Sequence, residues 1–377
     1  MRTLVKNGVI IVDGVRRIDH GAVLIDDGFI VGVFNDYDDI VYDVCVDAKG
    51  NFIIPGLIET HTHGIMGYDF NTCCCDDIQK ISDALLDEGV TSFMASLVAE
   101  KHDDLIRLLD MYEHCDVHNL IGVHIEGPFL SKKFTGVIPV ECFQEPNLDH
   151  FYEYIDYDKV KSMTIAPEIN GALEIINVGS NHGIVMNVGH SNANASDVLL
   201  AEQYGAKGIT HLYNAMSQFL HRDPGVVTGA VLSSLFCELI CDGFHIHEDI
   251  IKASYKMIGK DRLVLICDAN PCKGLADGDY SFSGKNVEII DGKARVKETG
   301  RIAGSTLCLN EACRNMMEWC DCSIDDVVRM ACFNPARMYN LNAGQISIGY
   351  IGNIVVVNDC FDVLAVINEG EVKRNML

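Results

Sequence analysis

The chain has 377 residues, 48% of them hydrophobic and 22% charged, enough for a large barrel with an accessory domain. Its formal charge of −25, from 54 acidic against 29 basic residues, argues against nucleic acid and anionic membranes as partners, since both favour basic patches. The acidic bias reads as a solubility feature, and an anionic substrate would need a locally positive pocket.

The first fifty residues read as short strands, TLVKNGVIIVDG, GAVLIDDGFIVGVF and VYDVCVDAKGN, with Asp-Gly pairs at 13–14 and 27–28 as hairpin turns. MRTLVKNGVII is strand-like rather than an export signal, and no apolar run reaches the roughly 18 residues of a membrane span. The C-terminus repeats this texture in YIGNIVVVND and DVLAVINEGEVKRN. Residues 1–53 and 343–377 are therefore expected to form one small discontinuous β-sandwich domain.

Residues 54–342 alternate strand and helix patterns. Eight strand candidates follow one another: FIIPGLIETH, GVTSFMASLV, LIGVHIE, SMTIAPEI, GIVMNVGH, AKGITHL, CELICDG and RLVLICDA. Helix-like stretches such as DDIQKISDALLDEG and DDLIRLLDMYEHC lie between them. This is the pattern of an α/β chain folded as a (β/α)8 TIM-like barrel. After the eighth strand, YSFSGKNVEIIDGKARVKETG reads as an inserted hairpin or loop, followed by helices from Leu307 to Met317 and from Ser323 to Met338.

None of the 16 cysteines forms a Cys-x-x-Cys pair. Cys237, Cys241 and Cys267 lie in apolar runs and read as small buried hydrophobes, which predicts a reducing, cytoplasmic setting. The Cys73-Cys74-Cys75 triplet cannot face one ion without distortion and reads as ordinary loop cysteines.

Six metal-capable side chains sit just past strand ends: His61 and His63, Glu126, His190, His211 and Asp268. They fall on strands one, three, five, six and eight, on the face of a parallel barrel where catalytic groups converge. Residues two apart in an extended strand share a face, so His61 and His63 can reach one ion. Four imidazoles and two carboxylates suit one or two divalent ions, with zinc, iron, manganese and nickel all compatible. Asp268 is also placed to act as a general base. His124, on the opposite strand face, reads as a packed histidine.

The stretches PGLIETHTHG, HIEGPFL, IAPE, GHSNA, THLYNAMS, HRDPG, CDGFH, KGLADG, AGSTL and NPAR give the chain a resemblance to the N-acetylglucosamine-6-phosphate deacetylases of the amidohydrolase superfamily. It runs nearly end to end. The resemblance implies deacetylation of an amino-sugar phosphate by a barrel with a small β domain, and a homodimer. It implies that Glu126, His190 and His211 hold the main metal, that His61 and His63 hold a second, and that Asp268 is catalytic. It further implies that Asn214, Ala215 and His245 contact the sugar phosphate, with Arg222 reaching in from a neighbouring subunit.

One departure stands out. Where the family carries Lys-Gly-Ala-His after EGPFL, this chain has Thr135-Gly136-Val137-Ile138, so isoleucine replaces the histidine that polarises the acetamide carbonyl. Another N-acyl sugar phosphate, such as the galactosamine epimer, or a non-catalytic sugar-phosphate-binding barrel are therefore the competing expectations. A serine hydrolase is a third: Gly189-His190-Ser191-Asn192-Ala193 approximates a nucleophile elbow.

Overall fold

The computed structural model covers residues 1–377. Eight parallel strands pair in chain order: β1 (Leu57–Glu59), β2 (Val90–Val98), β3 (Leu120–Glu126), β4 (Val160–Ile165), β5 (Val185–Val188), β6 (Gly208–Ile209), β7 (Phe236–Ile240) and β8 (Leu263–Ile266). Extended residues beyond β1 and β8 close the seam. Thr62 bridges Ala269 in parallel register, the Asp268 amide donates to the His61 carbonyl at 2.8 Å, and the His63 amide donates to Ala269 at 2.7 Å. Glu59 stitches the same seam, its two carboxylate oxygens accepting from the His61 and Cys267 amides at 2.9 Å each.

The strands read as apolar runs because both of their faces are covered. Every residue of β2 is buried. Helix α1 (Cys75–Asp87) buries Ile78, Ile81 and Leu85 at helical spacing, and Cys74 with Asp77 forms a capping box at its start. Helix α2 (His102–Glu113) buries Leu105, Leu109 and Tyr112 in the same way.

A second eight-stranded sheet draws on both ends of the chain, pairing Phe52–Pro55 with Ile354–Val357. Its first strand, Arg2–Ile11, pairs with Val44–Asp47 over Thr3–Lys6 and with Phe52–Pro55 beyond Val9, so the sheet splits near Gly8. A Cβ at Gly8 would lie 2.6 Å from the Asn51 carbonyl, so the bend admits only glycine. Val5, Ile10, Val23, Ile53 and Val356 form a core apart from that of the barrel. Asp27 and Gly28 both adopt positive φ, as the hairpin turn between Arg17–Asp26 and Phe29–Phe34 requires.

Four features differ from the sequence expectations. FIIPGLIETH is two strands: Phe52–Pro55 joins the terminal sheet and the barrel begins at Leu57. Gly56 lies between them, where a Cβ would collide with Thr91. The insertion after β8 is a three-stranded sheet, Gly278–Phe282, Lys285–Ile290 and Lys293–Val296. The helix expected over Ser323–Met338 is interrupted by a π-turn at Arg329–Phe333, next to Pro335, which has no amide to donate. Finally, Cys75 opens α1 and is disulfide-bonded to Cys115, with Cα atoms 5.4 Å apart, so it is not a free loop cysteine. Folding brings the start of α1 beside the end of α2, which cysteine spacing alone does not reveal. No helix is long and apolar enough to cross a membrane.

Candidate metal centre

The six metal-capable residues meet at the C-terminal mouth of the barrel, in two groups of three. Glu126, the last residue of β3, places one carboxylate oxygen 3.1 Å from His190 Nε2 and 3.1 Å from His211 Nε2. The two imidazole nitrogens are themselves 3.1 Å apart. In the second group, Asp268 Oδ1 lies 3.3 Å from His63 Nε2 and 3.8 Å from His61 Nε2. Glu126 stands between the groups, 3.5 Å from both His61 and His63.

The backbone turns sharply to achieve this. His190, His211 and Asp268 each lie two residues past a strand end, and all three adopt positive φ, at 46°, 32° and 48°. Such conformations are uncommon for residues with a Cβ and concentrate at functional sites, where surrounding structure holds them. Here the extended strand would carry each side chain past the mouth, and the left-handed residue turns it inward.

A further layer aims the rings. His61 Nδ1 is 3.0 Å from Glu238 Oε2, His63 Nδ1 is 3.0 Å from the Ser96 carbonyl, and His190 Nδ1 is 2.8 Å from the Phe134 carbonyl. In each case the other ring nitrogen is left for the centre, the arrangement usual for metal-ligating histidines. His61 Nε2 is fully buried without a hydrogen-bond partner, although two carboxylates stand close by. Only histidines pair with Glu126 and Asp268; no lysine or arginine forms an ion pair with either. An orphaned imidazole nitrogen among carboxylates that lack a permanent cation fits a divalent metal.

The charge state supports this fit. Burial works against the charged form of Glu126, yet His190, His211 and His61 hold its pKa well below the usual range. Burial likewise opposes ionisation of Asp268, but His61 and His63 bring it down to about 2. Burial disfavours a charged His61, but the Asp268, Glu238 and Glu126 carboxylates raise its pKa well above the ordinary value. The site is thus built around ionised carboxylates seeking positive charge.

A cleft of about 140 Å³ opens over the centre, lined by His63, Glu126, His190, His211 and Asp268. Asn214, Ala215 and His245 line it as well. His245 is set by Asp242, whose carboxylate lies 2.6 Å from Nδ1 and whose other oxygen accepts the His245 amide. Ile138 is 3% exposed and also lines the cleft. Arg222 is not brought in: it is exposed, on the loop following Phe219 and Leu220, and is not among the residues lining the cleft of its own chain. His124 packs between Ser96 Oγ (2.9 Å) and Thr164 Oγ1 (2.8 Å), as a core histidine does.

The serine hydrolase reading fails on geometry. Ser191 Oγ donates to Glu168 at 2.7 Å, and both His190 ring nitrogens are engaged elsewhere, so there is no Ser–His pair.

Sequence reasoning missed Glu238, Asp242, Phe282 and Ile302. Glu238 carried a signal, since a glutamate inside the apolar strand Phe-Cys-Glu-Leu-Ile must be paired when buried. Phe282 and Ile302 come from the inserted sheet and the segment after it, and nothing local places them over the mouth.

Comparison with known proteins identifies the family. The amidohydrolase family model matches residues 52–376. The chain belongs to the amidohydrolase family. Within it the chain groups with the N-acetylglucosamine-6-phosphate deacetylases. It is 32% identical to that enzyme from Lysinibacillus sphaericus, over 83% of each chain. It is 31% identical to the Bacillus subtilis (strain 168) enzyme, over 98% of this chain and 96% of the relative. An alanine variant of the Mycobacterium smegmatis enzyme, solved in complex with N-acetyl-D-glucosamine-6-phosphate, superposes with a TM-score of 0.93 at 29% identity, covering 99% of this chain and 100% of that one. The barrel is thus that of a hydrolytic enzyme.

Proposed function

We propose that the protein hydrolyses N-acetylglucosamine 6-phosphate to glucosamine 6-phosphate and acetate. The observation that carries this is Asp268: a partly exposed carboxylate at the floor of the cleft, ionised, and held among the ligand groups of a fold shared with deacetylases.

Glu126, His190 and His211 would hold one divalent ion, and His61 and His63 a second, with Glu126 between them. An ion held there would lower the pKa of a water molecule and polarise the acetamide carbonyl. Asp268 accepts the proton of the attacking water and later delivers it to the departing amine nitrogen, so that the tetrahedral intermediate collapses to acetate and the amino sugar. Asp242 fixes His245 through Nδ1 and leaves Nε2 for the sugar phosphate. Asn214 and Ala215 also line the cleft, and the Asn214 side chain and Ala215 backbone would complete that contact.

Arg222 would enter from a second copy of the chain. Exposed Phe219 and Leu220 beside it give that loop an apolar surface suited to a subunit contact, consistent with a homodimer. The arginine would then supply the local positive charge that an acidic protein needs for a phosphorylated substrate.

The test is acetate release from N-acetylglucosamine 6-phosphate by metal-loaded protein. Turnover that chelation abolishes and metal restores is expected. A loaded protein that binds the sugar phosphate without releasing acetate would mark a non-catalytic binder.

A further inference from the structure

The cleft has two chemically distinct halves. Seven of its lining residues are polar and surround the metal centre or continue it through Asn214 and His245. Facing them are Val98, Val137, Ile138, Phe282 and Ile302. The first four form one wall, and Ile302 flanks it beside Ala303. Val98, Ile138 and Phe282 belong to a single buried cluster with Leu130, Phe143 and Val287, against which Val137 packs. The strap after β3 and the inserted three-stranded sheet are thereby joined into one lid. Its Phe282 ring sits 5.7 Å from the ring of His63.

No side chain of this wall donates a hydrogen bond, and the Ile138 amide is already spent on the Thr135 carbonyl at 3.0 Å. A phosphorylated N-acyl amino sugar has hydroxyls, a phosphate, a carbonyl oxygen and an acyl tail. The first three lose hydrogen bonds against an apolar surface. The tail gains there, as do the C–H faces of the ring, while the carbonyl must face the metal centre and Asp268 for attack, which brings the tail beside Phe282, next to His63.

We propose that Val98, Val137, Ile138, Phe282 and Ile302 form an acyl-binding subsite, and that the enzyme prefers N-acyl groups longer than acetyl. This rests on the deacylase reading above and names its acyl specificity. Isoleucine at 138 links Val137 on the strap to Phe282 of the inserted sheet through the shared apolar cluster. Each methylene buried against such a wall raises kcat/KM about fourfold.

The experiment compares kcat/KM for the N-acetyl, N-propionyl and N-butyryl derivatives of glucosamine 6-phosphate, using metal-loaded full-length protein. The expected result is a propionyl-to-acetyl ratio of about four. Ile138→His should bring the ratio to one or below, and Ile138→Ala should move the optimum to butyryl. A wild-type ratio at or below one overturns the subsite while leaving the deacetylase reading intact. Absence of turnover on all three derivatives overturns both. The wild-type series decides the question even if a variant fails to fold.

Discussion

The two groups of ligands at the barrel mouth use the same residue types but are built differently. Glu126, His190 and His211 form a triangle with every side at 3.1 Å. His61, His63 and Asp268 are looser, at 3.3 and 3.8 Å, and Asp268 is the most solvent-accessible of the six, its side chain 13% exposed. A closed triangle suits tight holding. An open one leaves a carboxylate free to exchange a proton with water and substrate. We read the difference as one of task, and the first three predictions below test it.

Asp268→Asn should have the largest effect, lowering kcat by about 10²–10⁴-fold, the usual contribution of a general acid–base group. The amide keeps the shape but cannot accept a proton, so metal analysis should still find the ion of the closed triangle. Retention of more than about a tenth of the wild-type rate would place the base elsewhere. Next in size, His61→Ala/His63→Ala should remove one of two metal equivalents and lower kcat on the order of 10²–10³-fold through loss of an electrophile. Elemental analysis settles this: a wild-type value of one, unchanged in the variant, would show that the pair binds no metal.

Glu238→Gln leaves every ligand in place but weakens the orientation of His61. A loss of about 10–100-fold in affinity for the second equivalent is expected, with a smaller loss at the first, because Glu238 Oε2 also accepts the His211 amide at 3.2 Å. Equal weakening of both would contradict the division into two groups. The smallest effect belongs to Arg222→Ala, which should raise KM for the phosphorylated sugar by about tenfold, the scale of one charge-assisted hydrogen bond, and spare any activity on the unphosphorylated sugar. Mixing Arg222→Ala with Asp268→Asn chains should restore activity, because one site of the mixed dimer then has both groups. Failure to complement would put Arg222 outside the partner's site.

The barrel and the six candidate residues at its mouth were legible because each signal is local: an apolar run, its length, and a metal-capable residue immediately beyond it. Glu126 and Asp268 needed no tertiary information to be noticed. Residues whose importance depends on what faces them were less visible. Glu238 serves His61 from a strand 177 positions away. Phe282 reaches His63 only because the inserted sheet folds back across the mouth. The Cys75–Cys115 bond depends on how two helices lie side by side. The split of FIIPGLIETH turned on one glycine, whose neighbour Thr91 is invisible to any pattern along the chain.

Glu59 joins the first barrel strand to the last, gripping the amides of His61 and Cys267 with its two oxygens. Those amides belong to a metal-ligand candidate and to the immediate neighbour of Asp268. The looser trio therefore spans the seam of the barrel, and it exists only when the two strands have met. An ion held there would link metal loading to ring closure, acting as a clasp on the circle. At free metal a hundredfold above its dissociation constant, that clasp would contribute about 2.7 kcal/mol to the folded state. In such a molecule, starvation for metal would open the barrel at the same joint where it disarms the chemistry.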